Sequence, residues 1–244
     1  MNIQTINIFG QKFSFYNWFE FLLLYKDEFI FQDYKFRTKN KAPFIIDCGG
    51  HIGTTTLYFK KKWPNSQIIV FEPSPIPLKL LKLNVKQNNY KDIKIVDAAV
   101  STKKGFTEFF IRKNPEEASW GDTTNISMRY NPEEYKKVKV KTVKLSSYID
   151  KPVDLLKLDI EGMEAQVLKE CQKRLKFVEK LIIEYHGDVT NKFNKVEDII
   201  KILKENNFSY RIKLTSKLSF WKSPTIKEVK EQKLNLFLIV AKKK

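Results

Sequence analysis

Cysteine is nearly absent: Cys48 and Cys171 are the only two in 244 residues. Two thiols exclude a disulfide framework or a cysteine-built metal cluster, and they point to reduced side chains in a cytosolic protein. Long apolar runs are missing too. The longest candidate, Phe21 to Tyr25, is followed at once by Lys26, Asp27 and Glu28, whereas a membrane span needs about 20 apolar residues. The N-terminus lacks the basic flank and unbroken apolar stretch of a secretory leader. Arginine is scarce as well. The chain carries 45 lysines and arginines and a net charge of +17, yet arginine stands only at Arg37, Arg112, Arg129, Arg174 and Arg211. Such a charge suggests nucleic acid, anionic lipid or an acidic polymer. A nucleic-acid surface, however, typically uses arginine for bidentate contacts. Scattered lysines beside abundant Asn, Ile, Phe and Tyr read instead as solvated helix faces.

What remains is an ordinary globular composition, 42% hydrophobic, long enough for one full-sized core. Two parts are expected: a helical extension over residues 1–42, packed on the core, and a main domain over 43–244. In the extension, Phe15, Trp18, Phe19, Leu22 and Leu23 fall at helical spacing. A role at a membrane surface is weakened by the acids Glu20, Asp27 and Glu28. From Ala42 onward strands and helices alternate. Strands are expected at Phe44–Cys48, Gln67–Phe71, Ile93–Ala99, Val153–Ile160, Lys180–Tyr185, Ser209–Leu214 and Leu234–Ala241. A helix over Thr54–Lys62 stops before Pro64, and another takes Ser74 as N-cap with Pro75 in its first turn. A third puts Leu168, Cys171, Leu175 and Val178 on one face. A fourth opens with the capping-box pair Asn194 and Glu197. Alternation of this kind means a mostly parallel sheet with helices on both faces, the α/β Rossmann-like arrangement, its last strand antiparallel at or near an edge. Phe106–Ile111 and Val138–Leu145 interrupt it as an inserted β-hairpin. Their connector, Asn114 to Tyr135, is a candidate lid.

The motifs sit where strands end. Phe44 to Gly53 reads FIIDCGGHIG, an apolar run closed by Asp47 and a turn carrying Gly49, Gly50 and Gly53. Ile69 to Pro73 reads IVFEP, ending in Glu72. Glycines let a backbone approach a nucleoside closely, a helix N-terminus offers free N–H groups, and an acid after the next strand holds ribose hydroxyls. A dinucleotide fingerprint would place glycine where Asp47 stands. The order acid-x-Gly-x-x-x-Gly instead resembles that of methyltransferases that bind S-adenosylmethionine.

In such a sheet the first and fourth strands flank the ligand crevice. The fourth ends in LLKLDIEGMEAQVL, which gathers Asp159, Glu161 and Glu164 before a helix. Methyl transfer is an in-line displacement that needs an aligned nucleophile and an acceptor for its proton. Asp159 is the first candidate for that base and Glu161 the second, although acids there also complement a helix N-terminus. The fifth strand ends in LIIEYHG. Glu184 and His186, two apart on a strand, share a face, and His186 is a candidate proton relay. Lys157 is expected in a structural ion pair. In the insertion, Trp120 and Asp122 are candidates to stack on a sugar and bond its hydroxyl. No metal is expected, but Asp159, Glu161 and Glu184 leave open an oxygen-rich metal-assisted alternative.

Over most of residues 25–240 the chain resembles the FkbM family of S-adenosylmethionine-dependent methyltransferases. The segments that carry the resemblance are IIDCGGHIG, FEPSPIPLKLLKLNVKQNN with Asn84, VDAAVS, VKVKTVKLSSYI, LLKLDIEGMEAQVLKEC and LIIEYHG. The resemblance implies O-methylation, often of sugar hydroxyls in surface polysaccharides or glycosylated metabolites. It implies that Asp47, Gly49, His51 and Gly53 line the methionine side of the cofactor, that Glu72 holds the ribose, that Asp97 and Ala98 face the adenine, and that Gly50 and Pro73 also belong to the cofactor site. His51 departs from the family, which usually has Asn there. Two other functions stay open. Charge suggests a nucleic-acid methyltransferase, but neither an Asn/Asp-Pro-Pro-aromatic segment nor a Pro-Cys nucleophile follows the fourth strand. A non-catalytic S-adenosylmethionine-binding protein of the same fold is the other.

Overall fold

The computed structural model describes residues 2–114, 121–124, 131–187, 193–215 and 236–244. Its spine is a seven-stranded sheet. Strands β3 (Phe44–Cys48), β4 (Gln67–Phe71), β5 (Ile93–Val96), β9 (Leu155–Leu158) and β10 (Lys180–His186) run parallel to one another. The last two, β11 (Phe208–Lys213) and β12 (Leu236–Lys243), are antiparallel additions in the order β11-β12-β10-β9-β3-β4-β5. Strand order reverses between β3 and β9, which are neighbours, as expected for the first and fourth core strands. The closing strand is antiparallel and sits one place in from the edge, with β11 outside it.

Successive residues of each strand point to opposite faces, and both faces are apolar, so both must be covered. Ile46, Leu156, Leu158 and Ile183 pack against α4 (Glu164–Glu170) and α5 (Val196–Glu205). Ile45, Val70, Leu155 and Ile182 pack against α2 (Thr54–Lys62) and α3 (Pro75–Gln87).

Local chemistry shifts several expected boundaries. The strand expected over Ile93–Ala99 breaks at Asp97, where the Ala98 N–H turns back to the Val96 carbonyl. Ala99 then begins β6 (Ala99–Ser101) in a separate three-stranded sheet with β7 (Gly105–Arg112) and β8 (Tyr135–Lys144). The antiparallel pair β7–β8 is the expected inserted hairpin. Helix α4 ends at Glu170, and a 3₁₀ segment, Gln172–Phe177, follows. Its tighter period still buries Leu168, Cys171, Leu175 and Val178 together. No capping box forms at α5. Lys195 is its N-cap, and the Asn194 amide is drawn instead to the Ala165 N–H at 2.8 Å and the Glu164 carboxylate at 2.5 Å.

The first 42 residues hold more than a helix. They open with a hairpin, β1 (Gln4–Ile8) and β2 (Gln11–Phe15), around a Phe9-Gly10 turn with both φ positive. Helix α1 (Trp18–Tyr25) follows, capped by Asn17, then one π-helical turn, Lys26–Ile30. The stripe expected to pack inward is split: Phe15 is buried in the core and Leu23 half-buried, but the other three members face outward. Phe15 belongs to β2, while Trp18, Phe19 and Leu22 are exposed. The inward face is Glu20 and Phe21, because Phe21 stacks on Phe15 at 4.3 Å and Glu20 reaches toward His51. The extension is fastened through Asn84 of α3, whose amide accepts from the Ser14 N–H and donates to the Ser14 and Ile52 carbonyls.

Candidate active site

The carboxyl ends of β3, β4, β9 and β10 converge on a cavity of about 300 Å³. The glycine turn after β3 forms one wall. Gly49 has φ +89°, and a Cβ there would lie 1.9 Å from the Asp159 carbonyl oxygen, so only glycine lets β3 and β9 approach this closely. The amides of this turn are not free for a ligand, as the sequence had suggested. Gly49 and Gly50 N–H both donate to the Phe71 carbonyl, Gly53 N–H to the Gly50 carbonyl, and His51 N–H to Glu72 Oε2 at 2.7 Å. At the start of α2 the side chains, not the backbone amides, are engaged. Thr54 and Thr55 hydroxyls donate to Glu28 Oε1 at 3.1 and 2.5 Å. Burial pushes the Glu28 carboxyl up to about 8, against the pull of those hydroxyls and of Lys157.

Glu72 ends β4 with each oxygen holding one backbone N–H, His51 on Oε2 and Ser74 on Oε1. Each oxygen keeps a further lone pair for a ligand hydroxyl. Its carboxyl rises to about 7, since burial outweighs the nearby His51 charge and the two amides. Ser74 is the N-cap of α3, but its hydroxyl bonds the Asp122 carboxylate of the insertion rather than the helix. Asp122 also accepts from the Arg112 N–H, and Thr123 Oγ1 donates to the Glu161 carbonyl at 2.9 Å, so the inserted hairpin is tied to two walls of the cavity.

Opposite Glu72 lies the acid cluster. Lys157, 1% exposed, donates to the Gly49 carbonyl at 2.9 Å and stands 3.1 Å from Asp47 and 3.4 Å from Asp159. This is the expected structural ion pair, with a second acid added. Burial pushes the fully enclosed Asp47 carboxyl up, while Lys157 is also pushed up because its acceptors outweigh its own burial. The two directions oppose each other. Since Lys157 faces two carboxylates and a carbonyl at once, the lysine keeps its proton and the group is ionic.

His186 is ringed by carboxylates: Glu164 at 3.4 Å, Glu161 at 3.6 Å, and Asp159 and Glu184 at 3.9 Å. Burial opposes its charge, but Glu161, Glu164 and Asp159 prevail and lift it to about 10. At neutral pH it therefore carries its proton and cannot take one up. Glu161 adopts φ +55°. The buried Glu164 holds that loop, accepting from the Gly162 and Ile160 N–H groups. The ligand atoms of Asp159, Glu184 and His186 lie within 4.8 Å of one another, close enough to hold a divalent cation.

Of the residues singled out from sequence, Gly49, His51, Glu72, Pro73, Ala98, Asp122, Asp159, Glu161, Glu184 and His186 line one cavity. Asp47, Gly50 and Gly53 do not: Asp47 lies beneath it against Lys157, a Gly50 Cβ would strike Val70, and a Gly53 Cβ would press on Leu81. Asp97 is exposed outside the lining, because the chain turns there and only Ala98 enters. Trp120 lies outside the described residues. Sequence reasoning missed Tyr34, whose hydroxyl lies 2.5 Å from Glu184 and 3.1 Å from Asp159. It also missed Glu28 as a wall and the Glu20–His51 pair at 3.3 Å, which helps lift His51 to about 9 against its burial. No local pattern marks these contacts.

A parallel sheet of this order with its cavity at the β3/β9 reversal is the class I Rossmann-like fold of methyltransferases. The comparisons with known proteins agree. The methyltransferase FkbM domain matches residues 47–210, well over half of the chain, and the chain belongs to that family of methyltransferases. It is 28% identical to Methyltransferase sdnD of Sordaria araneosa over 189 residues, 66% of this chain and 73% of that protein. It is 28% identical to Methyltransferase 1 of Beauveria bassiana over 162 residues, 60% of this chain and 65% of that one. Among solved structures, methyltransferase FkbM from Methylobacillus flagellatus superposes with a TM-score of 0.56 at 15% identity, covering 86% of this chain and 46% of that one. That likeness is one of fold, and the chain spans less than half of that protein's length.

Replacing Lys157 tests the buried network. Lys157→Met should destabilise the fold by about 3–5 kcal/mol, because it strands Asp47 without a counter-charge. Asp47→Leu combined with Lys157→Met should recover much of that loss, as read by urea denaturation.

Proposed function

We propose that this methyltransferase moves a methyl group from S-adenosylmethionine to a hydroxyl oxygen, with a carbohydrate or glycosylated metabolite as acceptor. The observation that carries this reading is the sign of the cavity. The chain as a whole is strongly basic, yet among the described residues eight acidic side chains, not all of them ionised, line the cavity against two histidines and neither lysine nor arginine. Such a lining suits a sulfonium and an ammonium and repels phosphates. The residues fit the donor. The close approach at Gly49 and the spare lone pairs of Glu72 suit a nucleoside, and the volume lies at the lower end of the about 300–1,000 Å³ usual for small ligands. Glu72 would hold the ribose hydroxyls, Ala98 and Pro73 would flank the base, and Gly49 and His51 would border the methionine portion. When bound, the donor supplies an electrophilic methyl on sulfur.

The acceptor hydroxyl must lose a proton as oxygen attacks. Asp159 is the carboxylate best suited to take it, being partly open to the cavity and backed by Lys157. Glu161 is the second candidate. His186, already protonated, serves better as a fixed counter-charge that keeps the surrounding acids ionised than as the base. Glu184 and Asp122 offer acceptors for neighbouring hydroxyls of a polyol, which favours a sugar over an isolated alcohol. A polynucleotide acceptor is disfavoured by the same acids that favour the donor. The non-catalytic alternative predicts donor binding without S-adenosylhomocysteine release. Free, buried Cys48 and Cys171 agree with the cytosol as its compartment, and no helix among the described residues is long and apolar enough to cross a membrane.

Glu72→Gln should weaken S-adenosylhomocysteine binding at least tenfold at pH 8, since charge-assisted bonds contribute about 1.5–3 kcal/mol each. The wild type should bind more tightly as pH rises through about 7, where the raised Glu72 carboxyl ionises, and the variant should lose that dependence in calorimetry. Asp159→Asn should bind the spent donor almost normally and slow turnover about 10²-fold or more. Unchanged turnover would move the base to Glu161. A second reading, metal-assisted transfer, is favoured only by the Asp159, Glu184 and His186 grouping. Full turnover after exhaustive chelation is the result we expect, and loss restored by added magnesium would establish the metal.

A further inference from the structure

Glu28 is a carboxyl group only half engaged by the protein around it. It stands on the π-helical turn Lys26–Ile30 of the N-terminal extension, 3% exposed, and lines the cavity together with Gly49 and Thr55. Its Oε1 takes the Thr54 and Thr55 hydroxyls, which fix the group at the start of α2. Its Oε2 has no hydrogen-bond partner among the described residues. Lys157 of β9 attracts the carboxyl, but that ammonium is spent on Asp47, Asp159 and the Gly49 carbonyl. Asp47 of β3 repels it, and the remaining titratable neighbours, Tyr34 and Tyr58 of α2, are uncharged phenols. With a raised value of about 8, the group keeps its proton at pH 7.

We propose that Glu28 receives, through Oε2, the α-ammonium of the donor's amino-acid end, so that the N-terminal extension forms part of the donor site. The inference rests on the S-adenosylmethionine reading above and adds to it a residue outside the matched family region, which begins at residue 47. Chemistry selects the ammonium over the sulfonium. Both are cations, but only the ammonium carries N–H groups, and a buried, unpaired acceptor needs a donor as well as a charge. The Gly49 carbonyl, which also faces this wall, accepts once from Lys157 and keeps a second lone pair for the same ammonium. A carboxylate that merely braced the start of α2 would need Oε1 alone and would leave Oε2 unexplained.

The test is calorimetry of the full chain at pH 8 with S-adenosylhomocysteine and with its des-amino analogue, in which hydrogen replaces the α-ammonium. The wild type should prefer S-adenosylhomocysteine at least about tenfold. Glu28→Gln keeps the side chain's size and an acceptor for the threonine hydroxyls. It should weaken S-adenosylhomocysteine at least about tenfold without weakening the analogue, a coupling that a bracing role would not produce. Circular dichroism checks the fold of the variant. A second measurement needs no variant. At pH 7 S-adenosylhomocysteine should release more protons than the analogue, by up to about one, because the arriving ammonium ionises Glu28. Titrations in buffers of different ionisation heat read that difference, and the Glu72 contribution cancels because both ligands carry the ribose. Equal affinity of the wild type for the two ligands, equal weakening of both in Glu28→Gln, an unweakened variant, or equal proton release would each overturn the proposal and leave the methyl-donor reading standing. Failure of the folded wild type to bind either ligand would overturn both.

Discussion

One buried lysine sets the geometry on which the rest depends. Lys157 joins the ends of β3 and β9 by taking Asp47, Asp159 and the Gly49 carbonyl into a single coordination shell. An ion group sealed from water contributes little net stability when complete and exacts a heavy penalty when broken. Its value here lies in register. It holds the glycine turn against the Asp159 carbonyl so tightly that no side chain fits at position 49. The Asp159 carboxylate is thereby held at the mouth of the cavity rather than folded back into the core.

That geometry lets a strongly basic chain build an acidic pocket. Apart from the buried Lys60 and Lys157, the lysines are spread largely over solvated faces, where water and salt screen them. The acids are concentrated where screening is weak, and burial lifts Glu28, Glu72 and Asp122 well above their ordinary ranges. A pocket of this kind is tuned by which acids keep their protons, and both histidines are drawn into it as counter-charges. Net charge therefore describes the surface and misdescribes the site.

The strands, the place of the crevice and the strand-end acids were legible because they leave local marks: apolar runs of strand length, glycine before a helix, an acid closing a run. Glu184 and His186 were legible through the period of a strand. The rest depends on separations that no local pattern encodes. Tyr34 reaches Glu184 across 150 positions. Asn194 looks like a cap, but the buried Glu164 competes for it and wins. The apolar spacing on α1 was real and its direction was misread. Periodicity reports that one face is apolar, whereas here the inner face is set by Glu20, whose partner His51 gives a buried carboxylate somewhere to go. Asp97 failed for the converse reason: the strand ends at Val96, three residues short of the expected Ala99, and the turn that follows leaves Asp97 in water.

These long-range ties change what the first 42 residues are. Glu20 reaches His51 beside the Glu72 loop, Glu28 occupies the start of α2, and Tyr34 bridges Glu184 and Asp159. Each tie meets a different wall of the cavity, so the extension shapes the pocket at three points although the matched family region begins only at residue 47. A segment that turns its acids inward to build a site leaves apolar groups such as Phe19 and Leu22 outside. The pocket and the outward face therefore arise from the same partition of side chains, and any change that returned Glu20 or Glu28 to solvent would alter both.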